Sequence, residues 1–83
     1  MQSTNEYATI ISLDSYFSSC VEIGQGINSK ERVEFTHAVA DLVKSHGIGV
    51  VLDLDKELSS DVGRNLLRDG LLQVHPDFDK LFA

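Results

Sequence analysis

The sequence predicts a small, mainly α-helical single domain, a bundle of three to four helices covering residues 1–83. Two observations favour this fold class. Apolar residues recur at spacings of three and four over several stretches, as on one face of a helix. Gly24, Gly47 and Gly70 stand 23 residues apart, each where such a stretch stops, which is where helices commonly end at a glycine. With 42% hydrophobic residues the chain is globular, but a domain of this length has a thin core.

The first predicted helix covers residues 4–22. Ser3-x-x-Glu6 fits a capping box at its start. The apolar side chains fall on one arc of a 3.6-residue helix and the serines fall on the other. A β-hairpin with a turn at Asp14-Ser15 is the alternative, although this pair is a weaker turn than Asn-Gly or Asp-Gly.

Two further helices and a terminal turn follow. Residues 29–46 form the clearest helix, because Asn28-x-x-Glu31 resembles a capping box and apolar residues then recur at helical spacing up to Gly47. A third helix is predicted over 57–69, capped by Ser59 or Ser60 and ending at Gly70. Pro76 suits the first position of a short C-terminal helical turn.

The stretch GVVLDLDKEL, residues 49–58, fits two structures. As a strand over 48–54, its apolar residues alternate onto one face and Asp53 and Asp55 leave by the other. As a helix, its apolar residues form a stripe and its carboxylates form an exposed acidic face. Periodicity alone does not decide between them. The strand belongs to an alternative α+β fold with strands at 7–13, 48–54 and 71–74.

The segment VVLDLDKEL resembles the first motif of haloacid dehalogenase-like phosphatases, an apolar strand followed by Asp-x-Asp-Gly-Thr. The resemblance implies a nucleophile at Asp53 and an acid/base at Asp55. Lys56-Glu57 stand where that family has Gly-Thr, and residues 56–83 are too few for its later strands and its catalytic lysine. We therefore predict no catalytic residue. The alternative function is a small oligomeric enzyme or ligand-binding domain in which Asp53 and Asp55 hold Mg²⁺.

Other metal and nucleophile patterns are weak. His37, His46, His75 and Cys20 show no Cys-x-x-Cys or His-x-x-x-His spacing, so no metal site and no cofactor are predicted. The single Cys20 cannot form an internal disulfide, and on an apolar arc it is typical of core packing.

Charge limits the classes of partner. Thirteen acidic and seven basic residues give a net charge of −6, which disfavours direct binding to nucleic acid or to an anionic membrane. The N-terminus lacks a basic segment followed by an apolar one, and no apolar run approaches the ~20 residues of a membrane span. We expect a cytoplasmic protein.

These observations favour a non-enzymatic protein–protein interaction module that acts as a regulator or inhibitor of a larger protein. A second copy of the chain is an additional expected partner, since a thin core often leaves an apolar patch for a twin. One form of such a regulator is a phage or mobile-element accessory protein that blocks a host defence complex by presenting carboxylates to a basic channel. The predicted contact residues form an acidic group and a C-terminal aromatic group: Asp53, Asp55, Glu57 and Asp61, and Phe78, Leu81 and Phe82.

Overall fold

A computed structural model of the protein describes the backbone of residues 2–78 and the side chains of residues 6–77. The predicted mainly α fold is confirmed: the described residues form four α-helices and no strand. The elements are α1 (Gln2–Glu22), α2 (Ser29–His46), α3 (Val50–Glu57), α4 (Asp61–Val74) and a terminal 3₁₀ turn (Pro76–Phe78). Helix α2 lies at the centre and packs mainly against α1 and α4, while α3 covers one side of the α2–α4 pair.

Helix α1 confirms the first predicted helix and excludes the hairpin alternative. It already includes Ser3 and runs without interruption through Asp14 and Ser15, where the hairpin turn was expected. The helix ends in a Schellman motif, since the N–H of Gln25 donates to the carbonyl of Cys20 and the N–H of Gly24 donates to that of Val21. Gly24 has a φ of 74°, a left-handed conformation that glycine adopts without a steric penalty.

Helix α2 has the predicted bounds and supplies more buried apolar residues than any other element. Asn28 occupies the N-cap position, but its side chain makes no capping hydrogen bond. Gly47 ends the helix at a φ of 86°, as the glycine pattern predicts. The main cluster of buried apolar side chains draws on all four helices and on the α3–α4 junction: Ile10, Phe17, Phe35, Ala38, Val39, Leu42, Val43, Val51, Leu54, Leu58, Leu66, Leu67 and Leu71.

Residues 50–57 are helix α3, so the possible strand at 48–54 was wrong. Val51, Leu54 and Leu58 are buried at spacings of three and four, and one face of a helix brings such residues together. A strand would instead point Val51 away from Leu54. Residues 7–13 and 71–74 are helical as well, which excludes the α+β alternative.

Helix α4 differs at both ends from the predicted 57–69. Glu57 ends α3, and a three-residue junction, 58–60, separates it from α4, which begins after the N-cap Ser60. The helix continues through Gly70 to Val74, so the prediction that Gly70 ends it was wrong. Gly70 serves a different purpose: a Cβ there would lie 2.8 Å from the Cβ of Val39 and 2.9 Å from the carbonyl oxygen of Thr36, and its absence lets α4 approach α2.

The described part of the chain, residues 2–78, has no helix that combines the length and the apolar character needed to cross a membrane.

Candidate functional site

A groove of about 520 Å³ lies between α3 and the first half of α4. Its volume is within the range of ~300–1,000 Å³ that is common for binding sites. Its floor is apolar and its walls carry charges of both signs. The lining residues are Val51, Leu52 and Asp55 from α3, and Asp61, Arg64, Asn65, Leu67 and Arg68 from α4.

The angle between the two walls is set by the α3–α4 junction, and the junction is held by Asp14 of α1. One carboxylate oxygen of Asp14 accepts the backbone N–H of Ser60 at 3.0 Å, and the other accepts the backbone N–H of Ser59 at 2.9 Å. The Ser59 hydroxyl donates to the second oxygen at 3.1 Å. Asp14 is only 3% exposed, so these bonds compensate the cost of burying its carboxylate.

Gly63 makes room for this carboxylate. A Cβ at residue 63 would lie 2.5 Å from an oxygen of Asp14, closer than two such atoms can approach. The N–H of Gly63 donates to the hydroxyl of Ser60, which is therefore the N-cap of α4. Glycine inside a helix normally weakens it relative to alanine, yet the small size of Gly63 allows the contact that fixes the helix start.

Arg64 connects the two walls of the groove. Its guanidinium donates to the carbonyl oxygen of Leu58, the C-cap residue after α3, and to the carboxylate of Asp61 one turn earlier in α4, both at 3.0 Å. Asp61 is 94% exposed, so its ion pair with Arg64 is solvated and adds little stability. The bond to Leu58 holds the end of α3 against α4.

A second charged surface lies on the opposite side of α3 from the groove. Asp53 and Glu57 are exposed one turn apart, and both act electrostatically on Tyr7 of α1. The pKa of Tyr7 is raised, first by partial desolvation of the phenol and then by repulsion between its phenolate and the carboxylates of Glu57 and Asp53. We call Asp53 and Glu57 the acidic stripe.

The predicted acidic group is therefore divided by the structure. Asp55 and Asp61 line the groove beside Arg64 and Arg68, whereas Asp53 and Glu57 form the acidic stripe. All four carboxylates are exposed.

The predicted C-terminal contact group is described only at its first member. Phe78 ends the terminal 3₁₀ turn, which packs against α4. Leu81 and Phe82 lie outside the described residues.

Asp53 and Asp55 do not have the geometry that the phosphatase resemblance implies. That motif places its aspartates at the end of a strand, whereas here both lie within α3. Residues two apart on a helix point to different sides, so the two carboxylates diverge. Within residues 2–78 no three His, Cys, Asp or Glu side chains come close enough together to hold a metal ion.

Sequence reasoning missed three features of this region. Asp14 was considered only as a turn residue of the hairpin alternative, although a carboxylate on an otherwise apolar arc is a signal for a buried polar contact. Arg64 and Arg68 are spaced by four, which places both on one face of α4. Leu52 is 66% exposed at the edge of the groove, which neither interpretation of residues 49–58 had anticipated.

Comparisons of the chain with protein-family models, with curated proteins and with solved structures find no match. The function is therefore inferred from the two surfaces of α3.

Proposed function

We propose that the protein is a non-enzymatic interaction module that regulates or inhibits a larger protein by binding a basic surface of it. The observation that carries this proposal is the acidic stripe: two exposed carboxylates on one side of α3, in a chain of net charge −6. Opposite charges on two partners raise the association rate and select the correct partner.

The surroundings of the stripe make it suited to binding. Tyr7 of α1 is partly buried and lies near enough to both carboxylates for their charges to raise its pKa. Tyrosine is enriched at protein interfaces because it combines apolar area with a hydroxyl group. Asp55 and Asp61 lie on the groove side, beside Arg64 and Arg68, and are not part of the stripe.

The basic surface of a protein that binds nucleic acid has the chemistry that such a stripe would recognise. A small acidic protein seated there would compete with the phosphate backbone for the same cations. An accessory protein of a phage or mobile element that blocks a defence complex is the specific form of this role that we propose.

The test is affinity capture from cells of the source organism with the wild-type chain and with the double variant Asp53→Asn/Glu57→Gln. These isosteric changes remove two charges from exposed positions and leave the core unchanged. We expect the wild type to retain a partner, the variant to lose at least ten-fold in affinity for it, and the retained complex to weaken as salt is raised.

The matched control is Glu34→Gln/Asp41→Asn, which removes two exposed carboxylates of α2 and gives the same net charge. If both double variants lose the partner equally, net charge rather than the stripe determines binding. Retention of the partner by the stripe variant would contradict the proposal.

A further inference from the structure

We infer that the α3–α4 groove is a self-association face, and that its occupant is the same groove of a second copy of the chain. The groove lies on the other side of α3 from the acidic stripe, so this inference does not depend on the proposed function. It follows from the charge pattern of the groove and from the exposed leucine at its edge.

The charges that line the groove balance. Asp55 and Asp61 contribute two negative charges, and Arg64 and Arg68 contribute two positive ones. Two copies of a chain of charge −6 repel each other as a whole, so a locally balanced face is favoured for their contact. The acidic stripe, in contrast, would place like charges opposite each other.

The placement of these charges suits two-fold symmetry. Acidic Asp55 lies on the α3 wall and basic Arg68 lies on the α4 wall. When the two-fold axis runs along the groove, the α3 wall of one copy faces the α4 wall of the other, and the same patch is used by both. Asp55 of each copy then faces Arg68 of the other, and one pairing is made twice.

An apolar contact accompanies the charges. Leu52 is 66% exposed at the edge of the groove, and beside it the buried Val51 and Leu67 form part of the floor. A second copy seated in the groove covers both Leu52 side chains. The other large apolar side chains exposed in the described part of the chain lie on α1, just after it, and on α2, away from the groove: Val21, Ile23 and Val33.

The size of the groove predicts a weak dimer. A contact confined to one side of an eight-residue helix and half of α4 is small beside the ~1,200–2,000 Å² that stable interfaces bury in total. We therefore expect a concentration-dependent equilibrium between the 9.2 kDa monomer and a dimer.

The first measurement is sedimentation equilibrium of the wild-type chain from micromolar to millimolar concentration. We expect the average mass to rise with concentration from 9.2 kDa toward twice that value. Leu52→Asp should keep the monomer mass throughout, while the control Val33→Asp, which changes a similarly exposed apolar residue on α2, should behave as the wild type. A wild-type mass that stays at 9.2 kDa over the whole range would overturn the inference.

The second measurement tests the pairing itself by exchange of charges between copies. Asp55→Arg alone and Arg68→Asp alone each create two like-charged pairs across the contact, so each variant should be monomeric. An equimolar mixture of the two variants should form a heterodimer, because the base introduced at position 55 then faces the acid introduced at position 68. Within-chain roles of these side chains cannot be rescued in this way, so a mixture that stays monomeric would refute the assigned pairing.

The interaction proposal and the self-association inference can be contradicted independently of each other. Leu52→Asp should abolish self-association and keep the captured partner, whereas Asp53→Asn/Glu57→Gln should lose the partner and keep self-association. Far-ultraviolet circular dichroism of every variant should match that of the wild type, since all of these positions are exposed.

Discussion

The carboxylate of Asp14 accepts the backbone N–H of Ser60 at 3.0 Å, across 46 residues of chain. A buried acid in the middle of one helix thus supplies the missing acceptor at the start of another. Because the first N–H groups of a helix have no partner inside it, and because its N-terminus favours negative charge, Asp14 both satisfies and stabilises this end. The bond also fixes the junction on which the groove and the acidic stripe depend.

Asp14→Ala should lower the free energy of unfolding by about 2–4 kcal/mol, since it leaves the N–H groups of Ser59 and Ser60 without their acceptor. Asp14→Asn should cost less, because its amide keeps one acceptor oxygen. Urea denaturation measures both, with the exposed Asp41→Asn as a control expected within about 0.5 kcal/mol of the wild type. An Asp14→Ala variant as stable as this control would show that the contact adds nothing.

Gly63→Ala should destabilise the protein by about 1–3 kcal/mol, although alanine is normally the better helix former by about 1 kcal/mol. The new Cβ would lie 2.5 Å from an oxygen of Asp14. In an Asp14→Ala background that oxygen is absent, so Gly63→Ala should become neutral or stabilising.

A double-mutant cycle of these two positions, measured by urea denaturation, isolates the coupling. Equal costs of Gly63→Ala in both backgrounds would mean that the crowding at residue 63 comes from something other than Asp14.

The helical fold could be predicted from the sequence because the patterns that indicate it involve residues close together in the chain. The spacing of Phe35, Val39 and Leu42 identifies α2, and Gly24 and Gly47 mark true helix ends. Gly70 follows the same spacing yet lies inside α4, since the need for it arises from contact with Val39 on another helix. A contact between residues so far apart in the chain cannot be predicted from a local sequence pattern.

The candidate site was predictable only in part. The four acids of residues 53–61 are exposed, as expected for a helix, but their division between two surfaces depends on which sides of α3 meet α1 and α4. The buried role of Asp14 depends on Ser59 and Ser60, 45 and 46 residues further along the chain. Such pairings follow from the packing of whole helices.

Gly70→Ala should destabilise the protein by about 1–3 kcal/mol, because the added methyl group meets the backbone oxygen of Thr36, which cannot turn aside as a side chain can. Gly70→Ser should cost more, since it adds a further atom at the same place. The control is Gln73→Ala on the exposed face of the same helix. Each kcal/mol of lost stability should lower the melting temperature by about 4–8 °C in a domain of this size, which thermal unfolding measures. A Gly70→Ala variant that melts with the control would contradict the close α2–α4 approach.

The phenol of Tyr7 should report on the acidic stripe, because Glu57 and Asp53 contribute to its raised pKa. A tyrosine whose folded-state pKa exceeds its unfolded value of 10.0 binds its proton more tightly in the folded state. Its contribution to stability is therefore complete below pH 10 and is lost as the pH rises through the folded-state pKa.

Asp53→Asn/Glu57→Gln should lower the pKa of Tyr7 only partway, since desolvation is the larger cause and is retained. Absorbance titration of phenolate in a Tyr16→Phe background measures Tyr7 alone, because the chain has two tyrosines. Glu34→Gln/Asp41→Asn, which removes two carboxylates of α2, should leave the titration almost unchanged. If both pairs of changes shift the pKa of Tyr7 equally, the overall charge of the protein and not the stripe acts on the phenol, and the placement of Asp53 and Glu57 beside Tyr7 is wrong.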